Sequence, residues 1–353
     1  MRNSTIDFLK FISSIFIIYL HASLFMSLPF YIPATDLAVD FFFIVSGYLV
    51  FKKSVNIKHN NISVEVKDII ISKIKNVYIE YVVSLIMGFI VLNIFLFEGG
   101  KTCLVNLMLL TGELSLWHVF GLPTDGWSNV IWYVAVMALC SGLIYFIVKS
   151  IDESSLMLLF TIMILFLFGY LARNFNNIIV ALETGPYCFI PGGFYRGFAD
   201  MLLGGVAYRL SLVTNYFFAK LINAHHKMYY RIILTSVEIL GYLVYFAISF
   251  KHSIPSHFNI FIVLILTLSV GFSFSGITFL NDILNVRFLN FLGIFSLNIY
   301  LNHNYLAYAF HRMYKINTIE NLLYYTILVF VCAVVNFAIS KKIRLYLNRR
   351  YFL

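Results

Sequence analysis

Apolar residues in this chain gather into ten continuous runs of 17 to 23 residues, with polar residues between the runs rather than alternating within them. About 20 apolar residues carry an α-helix across a bilayer. The lack of period-two alternation sets a β-barrel aside. The pattern predicts an all-α, polytopic membrane helix bundle of about ten transmembrane helices, forming a single membrane domain over residues 1–353 with no separate soluble domain. The expected spans are 9–28, 36–52, 77–97, 128–148, 155–172, 196–212, 231–250, 258–277, 288–310 and 322–340. Short polar breaks separate the last four spans, so those helices are expected to pack antiparallel. No internal repeat is visible, which weighs against an inverted-repeat transporter. The first run lacks a small-residue cleavage site and is expected to stay as an anchor, with no cleavable signal peptide.

Composition agrees with a membrane setting. Hydrophobic residues make up 61% of the chain and charged residues 12%, with a mean hydropathy of +0.88. Soluble domains are about half apolar and about a quarter charged. The net charge of +9 would suit nucleic acid, but in a polytopic protein surplus Lys and Arg mark cytoplasmic loops. With a cytoplasmic N-terminus, 19 of the 25 Lys and Arg fall on the inner side. Both termini are therefore expected inside, and no nucleic-acid partner is expected. Cys103, Cys140, Cys188 and Cys332 have no metal-ligand spacing. Cys140 and Cys332 read as packing residues, and a disulfide between Cys103 and Cys188 stays open.

Against this background the ionisable residues within spans stand out, because they are costly there. Asp7, Lys10 and His21 share the first span. Lys10 and His21 are eleven positions apart, which puts them within about 20° on one helix face and about 16 Å apart along the axis. They could contact two ends of one elongated ligand. Alone, Lys10 also reads as an end anchor and His21 as a core histidine. Asp40 lies at the outer end of the second span at a depth similar to His21, where it could orient the imidazole or simply favour the helix N-terminus. Ser46-Gly47 is a small-residue site for close helix approach. Arg196 and Asp200, at i,i+4 in the sixth span, can form an ion pair or hold an anionic or sugar ligand. The ninth span carries Gly293, Ser296, Asn298, Tyr300, Asn302, His303 and Asn304, a polar face that must turn inward. Two long outer segments remain. Residues 98–127 hold Trp117, His118, Pro123, Asp125, Gly126 and Trp127, and residues 173–195 hold Arg173, Glu183, Pro186, Pro191, Gly192 and Gly193. Their aromatics suit a sugar or an interfacial belt.

In this order, the motifs resemble the acyltransferase family 3 of integral membrane acyltransferases that modify bacterial surface glycans. The family's opening frame of Asp, Arg, ten residues and His is similar to Asp7, Lys10 and His21. Val39-Asp40-Phe41-Phe42-Phe43-Ile44-Val45-Ser46-Gly47 looks like its second motif. Lys73, Lys75 and Tyr78 resemble its basic stretch, and Ile131-Trp132-Tyr133 its fourth-span motif. Gly293, Ser296, Tyr300, Leu301 and His303 resemble its late Gly-x-x-Ser-x-x-x-Tyr-Leu-x-His motif. Phe194-Tyr195-Arg196-Gly197 with Asp200 looks like the polysaccharide O-acetyltransferase members. Lys10 stands where an Arg is usual, keeping charge without a bidentate fork. The basic stretch uses Lys and lacks the usual Pro, and no Glu follows Trp132.

The resemblance implies an acyltransferase, in stand-alone form, of the bacterial cytoplasmic (inner) membrane. It would move acetyl from acetyl-CoA to a hydroxyl of a surface polysaccharide or lipid-linked glycan, as in O-antigen modification, with no bound cofactor and no metal. His21 is expected as general base with Asp40 orienting it. Lys10, Asp7, Lys73 and Lys75 are expected at the CoA, and Arg196, Asp200, Ser46, Tyr300 and His303 at the acceptor. Direct transfer and an acyl-histidine intermediate both stay open. A transporter or exporter of a glycan or small metabolite is the alternative class, since it explains polar residues in helices equally well. An acyltransferase for an amino sugar or small molecule is a third reading.

Overall fold

The computed structural model describes residues 2–25, 36–56, 61–96, 99–115, 132–184, 190–250, 256–313 and 318–351. Among them the chain forms twelve α-helices: α1 Ser4–Phe25, α2 Leu37–Asn56, α3 Ile62–Ile90, α4 Gly100–Leu114, α5 Trp132–Ser150, α6 Glu153–Phe175, α7 Gly192–Lys220, α8 Ala224–Ser249, α9 Ser256–Ser275, α10 Phe279–Ile283, α11 Arg287–Met313 and α12 Ile319–Tyr351. A π-helical turn, Val91–Phe95, closes α3. The protein is an all-α membrane bundle, and the ten helices of 19 residues or more follow the ten apolar runs of the sequence.

Seven of these ten, namely α1, α3, α5, α6, α8, α9 and α12, are long and apolar enough to cross a membrane. The other three, α2, α7 and α11, contain Asp40, Arg196 with Asp200, and the polar face around His303. Their burial accounts for the exception. In α11, for instance, Phe295, Ser296, Asn298 to Ala307, Ala309 and Phe310 are all buried. A helix inside the bundle tolerates polar groups because other helices, not lipid, surround it.

Helix α2 packs on α7 at backbone contact. A side chain at Gly47 would overlap the Met201 backbone, and one at Gly204 would overlap the backbone from Ile44 to Tyr48. Only glycine allows this approach, as expected for Ser46-Gly47. Phe43 packs at Gly197, and Phe51 and Phe160 pack at Gly205, all three as fully buried side chains.

Two elements depart from the sequence expectation. Helix α3 starts at Ile62, capped by the Asn61 side chain, which accepts from the Val64 N–H. The basic turns around Lys67, Lys73 and Lys75 are therefore helical and extend the expected 77–97 span towards the N-terminus. The stretch opening the expected outer segment 98–127 is helical too. Gly99, at φ 112°, turns the chain into α4, which runs back along α3. Asn106 donates to Asn93 at 2.7 Å near one end, and Tyr81 donates to the Glu113 carbonyl at 2.9 Å near the other. At 15 residues α4 is too short to register as a span. Trp117, His118, Pro123, Asp125, Gly126 and Trp127 lie outside the described residues, as do Ile131, Pro186 and Cys188. Cys140 and Cys332 are buried, as packing residues should be.

Candidate active site

The site is built on α1 and α11, which lie against each other along much of their length. Gly293 sits against Asp7 so closely that a Cβ there would overlap the carboxylate. This gives the glycine of the late motif a physical reason. Asp7 is buried and accepts from Arg2, whose Nη2 lies 3.5 Å from Oδ1, and from the Lys10 ammonium at 3.4 Å. Asp7 thus aims Lys10 while leaving it partly open.

Lys10 borders an apolar cavity of about 180 Å³ between α1, α2, α3, α5 and α11. The cavity extends from Lys10 and Gly293 past Ser46 to Tyr133 and Tyr300. That distance corresponds to two turns of α11, or about 10 Å. Ser46 and Tyr133 share a hydrogen bond at 3.2 Å. Tyr133 also packs at 4.5 Å on Phe43 and at 6.0 Å on Tyr300. Tyr133 belongs to the fourth-span motif, but its contact with Ser46 had no sequence signal.

At the Lys10 end, Val77 of α3 lines the cavity. Lys73 lies one turn before it, close enough to Lys10 and Lys53 for their charges to act on it. This end of the cavity is therefore basic, with Lys10 on its wall, Lys73 one turn from Val77 and Lys53 in the last turn of α2. Lys53 was not singled out from sequence, because it reads as an ordinary helix-end cation. Lys75 faces the other way, into a separate open groove of about 780 Å³ with Tyr78 and Arg344. The structure thus divides the basic stretch between two places.

At the Tyr300 end, His303 follows one turn later, its ring 5.6 Å from that of Tyr300. The His303 and His21 rings are 4.7 Å apart and tilted by 59°. His21 also stacks on Phe25 at 6.1 Å. The helical spacing of Lys10 and His21 is thus realised with one residue beside the cavity and the other beyond its far end. Sequence pointed to His21 and His303 separately and held no sign that they meet.

Asp40 departs from the expected contact with His21. Arg196 Nε and Nη2 each donate to one Asp40 oxygen at 2.8 Å. Nη2 also reaches the Asp36 carbonyl at 2.9 Å, and Nη1 reaches the Val180 carbonyl at 3.2 Å and Asp36 Oδ1 at 3.4 Å. A guanidinium has five N–H donors, and these five contacts use them all. Arg196 is fully buried, so it fastens α2 to α7 and to the segment before α7 instead of facing a sugar. The i,i+4 pairing with Asp200 is likewise displaced by Asp40. Asp200 lies beside both groups, is fully buried, and its oxygens find no donor among the described residues. Asp36 was missed in sequence, although it stands one turn before Asp40 on the same face.

The motif order also meets a family model. The model of the acyltransferase 3 family, described as an acyltransferase domain, matches residues 3–341, nearly the whole chain. No curated protein and no solved structure matches the chain. With its apolar helices and its motifs in family order, the chain belongs to the acyltransferase 3 family and is a multi-pass membrane acyltransferase.

Proposed function

We propose that the protein transfers an acetyl group from cytoplasmic acetyl-CoA to a hydroxyl of a surface polysaccharide or its lipid-linked precursor, in the bacterial inner membrane. One observation carries this reading: a line of groups leads from Lys10, through the apolar cavity, to Tyr300 and the His21–His303 pair. CoA has a polyanionic head and a slim arm ending in sulfur. Charge-assisted contacts hold the head most strongly, and apolar walls accept the arm. The Lys and Arg bias puts the Lys10 end on the cytoplasmic side, where acetyl-CoA is made.

His21 then serves as general base at the far end. It takes the proton of the acceptor hydroxyl as the oxygen attacks the thioester carbonyl. The C–S bond breaks, and the departing thiolate receives that proton. General-base assistance of this kind contributes about 10²- to 10⁴-fold. Asp7 keeps Lys10 in place, while Ser46, Tyr133 and Tyr300 line the path of the acyl group.

The test uses membranes containing the protein, supplied with acetyl-CoA labelled in the acetyl group. Label entering the glycan fraction supports transfer, and movement of unmodified solute without labelling supports an exporter instead. Mass spectrometry of surface polysaccharide with and without the gene then identifies the acceptor and separates acetyl from succinyl.

A further inference from the structure

We propose that His303 is a positioning residue that selects the tautomer of His21; the catalytic consequence rests on the reading of His21 as general base. His303 Nδ1 lies 2.5 Å from the Tyr300 carbonyl oxygen. A carbonyl only accepts, so Nδ1 carries the hydrogen, and in a neutral imidazole the other nitrogen is then the acceptor. That atom, Nε2, is buried and meets no donor among the described residues. Across the 4.7 Å ring contact, His21 Nδ1 is also buried and meets no partner among them. A buried polar atom left unsatisfied is costly. After a small turn of the two rings, one direct hydrogen bond, from His21 Nδ1–H to His303 Nε2, satisfies both atoms at once.

The direction of that bond is forced. With His303 Nε2 as acceptor, His21 must hold its hydrogen on Nδ1. This leaves the lone pair of His21 on Nε2, free to receive the hydroxyl proton. When the O–H bond breaks, that proton joins Nε2 and His21 becomes an imidazolium. Its Nδ1–H stays bonded to His303 until the Nε2 proton passes to the departing sulfur. His303 never touches either substrate.

The surroundings hold the backbone that carries the pair. Tyr325 of α12 donates to the His303 carbonyl at 3.1 Å, and Ser84 of α3 donates to the Leu301 carbonyl at 2.7 Å. Phe25 stacks on His21 at 6.1 Å. The α11 backbone at His303 is therefore held from α3 and α12, and the His21 ring rests on Phe25 within α1.

The direct test is nitrogen NMR of the full-length protein with ¹⁵N-labelled histidine, in detergent or nanodiscs. The signal of His21 is the one missing from His21→Ala. In wild-type protein it should report hydrogen on Nδ1. In His303→Phe, which keeps the volume and removes the acceptor, it should move to the Nε2–H form. His303→Gln, whose amide oxygen can replace the lost acceptor, should restore Nδ1–H. In membranes, His303→Phe should lower kcat about 100-fold with KM for the acyl donor unchanged, and His303→Gln should recover much of that loss. An Nε2–H signal for His21 in the wild type overturns the assignment whatever the variants do. An unchanged kcat in His303→Phe overturns its catalytic consequence. The tautomer is read without turnover, so a failure of the acyl-transfer reading shows separately, as wild-type membranes that label no acceptor.

Discussion

At the scale of single residues, the two charge arrangements call for opposite treatments. Arg196 holds Asp40 with two short bonds in a site that water does not reach. Removing one partner of such a pair costs about 3–5 kcal/mol, because the other charge is left buried alone. Arg196→Met and Asp40→Leu should therefore each sharply reduce folded protein, read as yield and melting temperature in detergent. Asp200→Asn keeps the side-chain volume and brings an N–H next to Asp40, so it should stay close to wild type in both measurements. Lys10 behaves differently, since it is partly open and held only by Asp7 at 3.4 Å. Lys10→Met should leave folding intact and raise KM for acetyl-CoA about tenfold, the effect of losing one charge-assisted contact. Lys10→Arg should retain affinity, since the charge is kept. Sequence displayed the Lys10–His21 frame fully, because both residues lie on one helix and helical geometry relates them. It could not display the partners of Arg196 and His21, which lie 156 and 282 positions away and come together only through helix packing.

At the scale of elements, glycine sets the fit of the bundle. Gly47 and Gly204 bring α2 and α7 to backbone contact, and Gly293 brings α11 against Asp7. Gly204→Val pushes α2 away from α7 and should cost about 1–3 kcal/mol or more, seen as a lower melting temperature. Gly293→Ala acts more locally. It displaces Asp7, so its main effect should be a raised KM for the acyl donor like that of Lys10→Met, with a smaller loss of stability. Apolar run length was enough to locate the ten long helices, even α2, α7 and α11, whose polar residues lower their hydropathy. Run length failed for α4, which is only 15 residues, and for the first turns of α3, where Lys67, Lys73 and Lys75 made a helix look like a loop.

Across the whole molecule, charge and apolarity are segregated in a way that suits a donor entering from one side and an acceptor waiting near the other. Lys10 on the cavity wall, with Lys53 at the end of α2 and Lys73 on α3, makes one end of the path basic, and the imidazole pair forms its far end. Attraction between exposed charges weakens as salt shortens the Debye length from about 10 Å at 0.1 M to about 3 Å at 1 M. KM for acetyl-CoA should accordingly rise with ionic strength, while kcat at saturating donor stays flat. The central claim is that His21 performs the proton transfer at the end of this path. Its most direct measurement is the rate of label transfer from acetyl-CoA to glycan in membranes holding equal amounts of wild-type and His21→Ala protein. The expected result is a loss of about 10²-fold or more with acetyl-CoA binding retained, whereas transfer at the wild-type rate would contradict it.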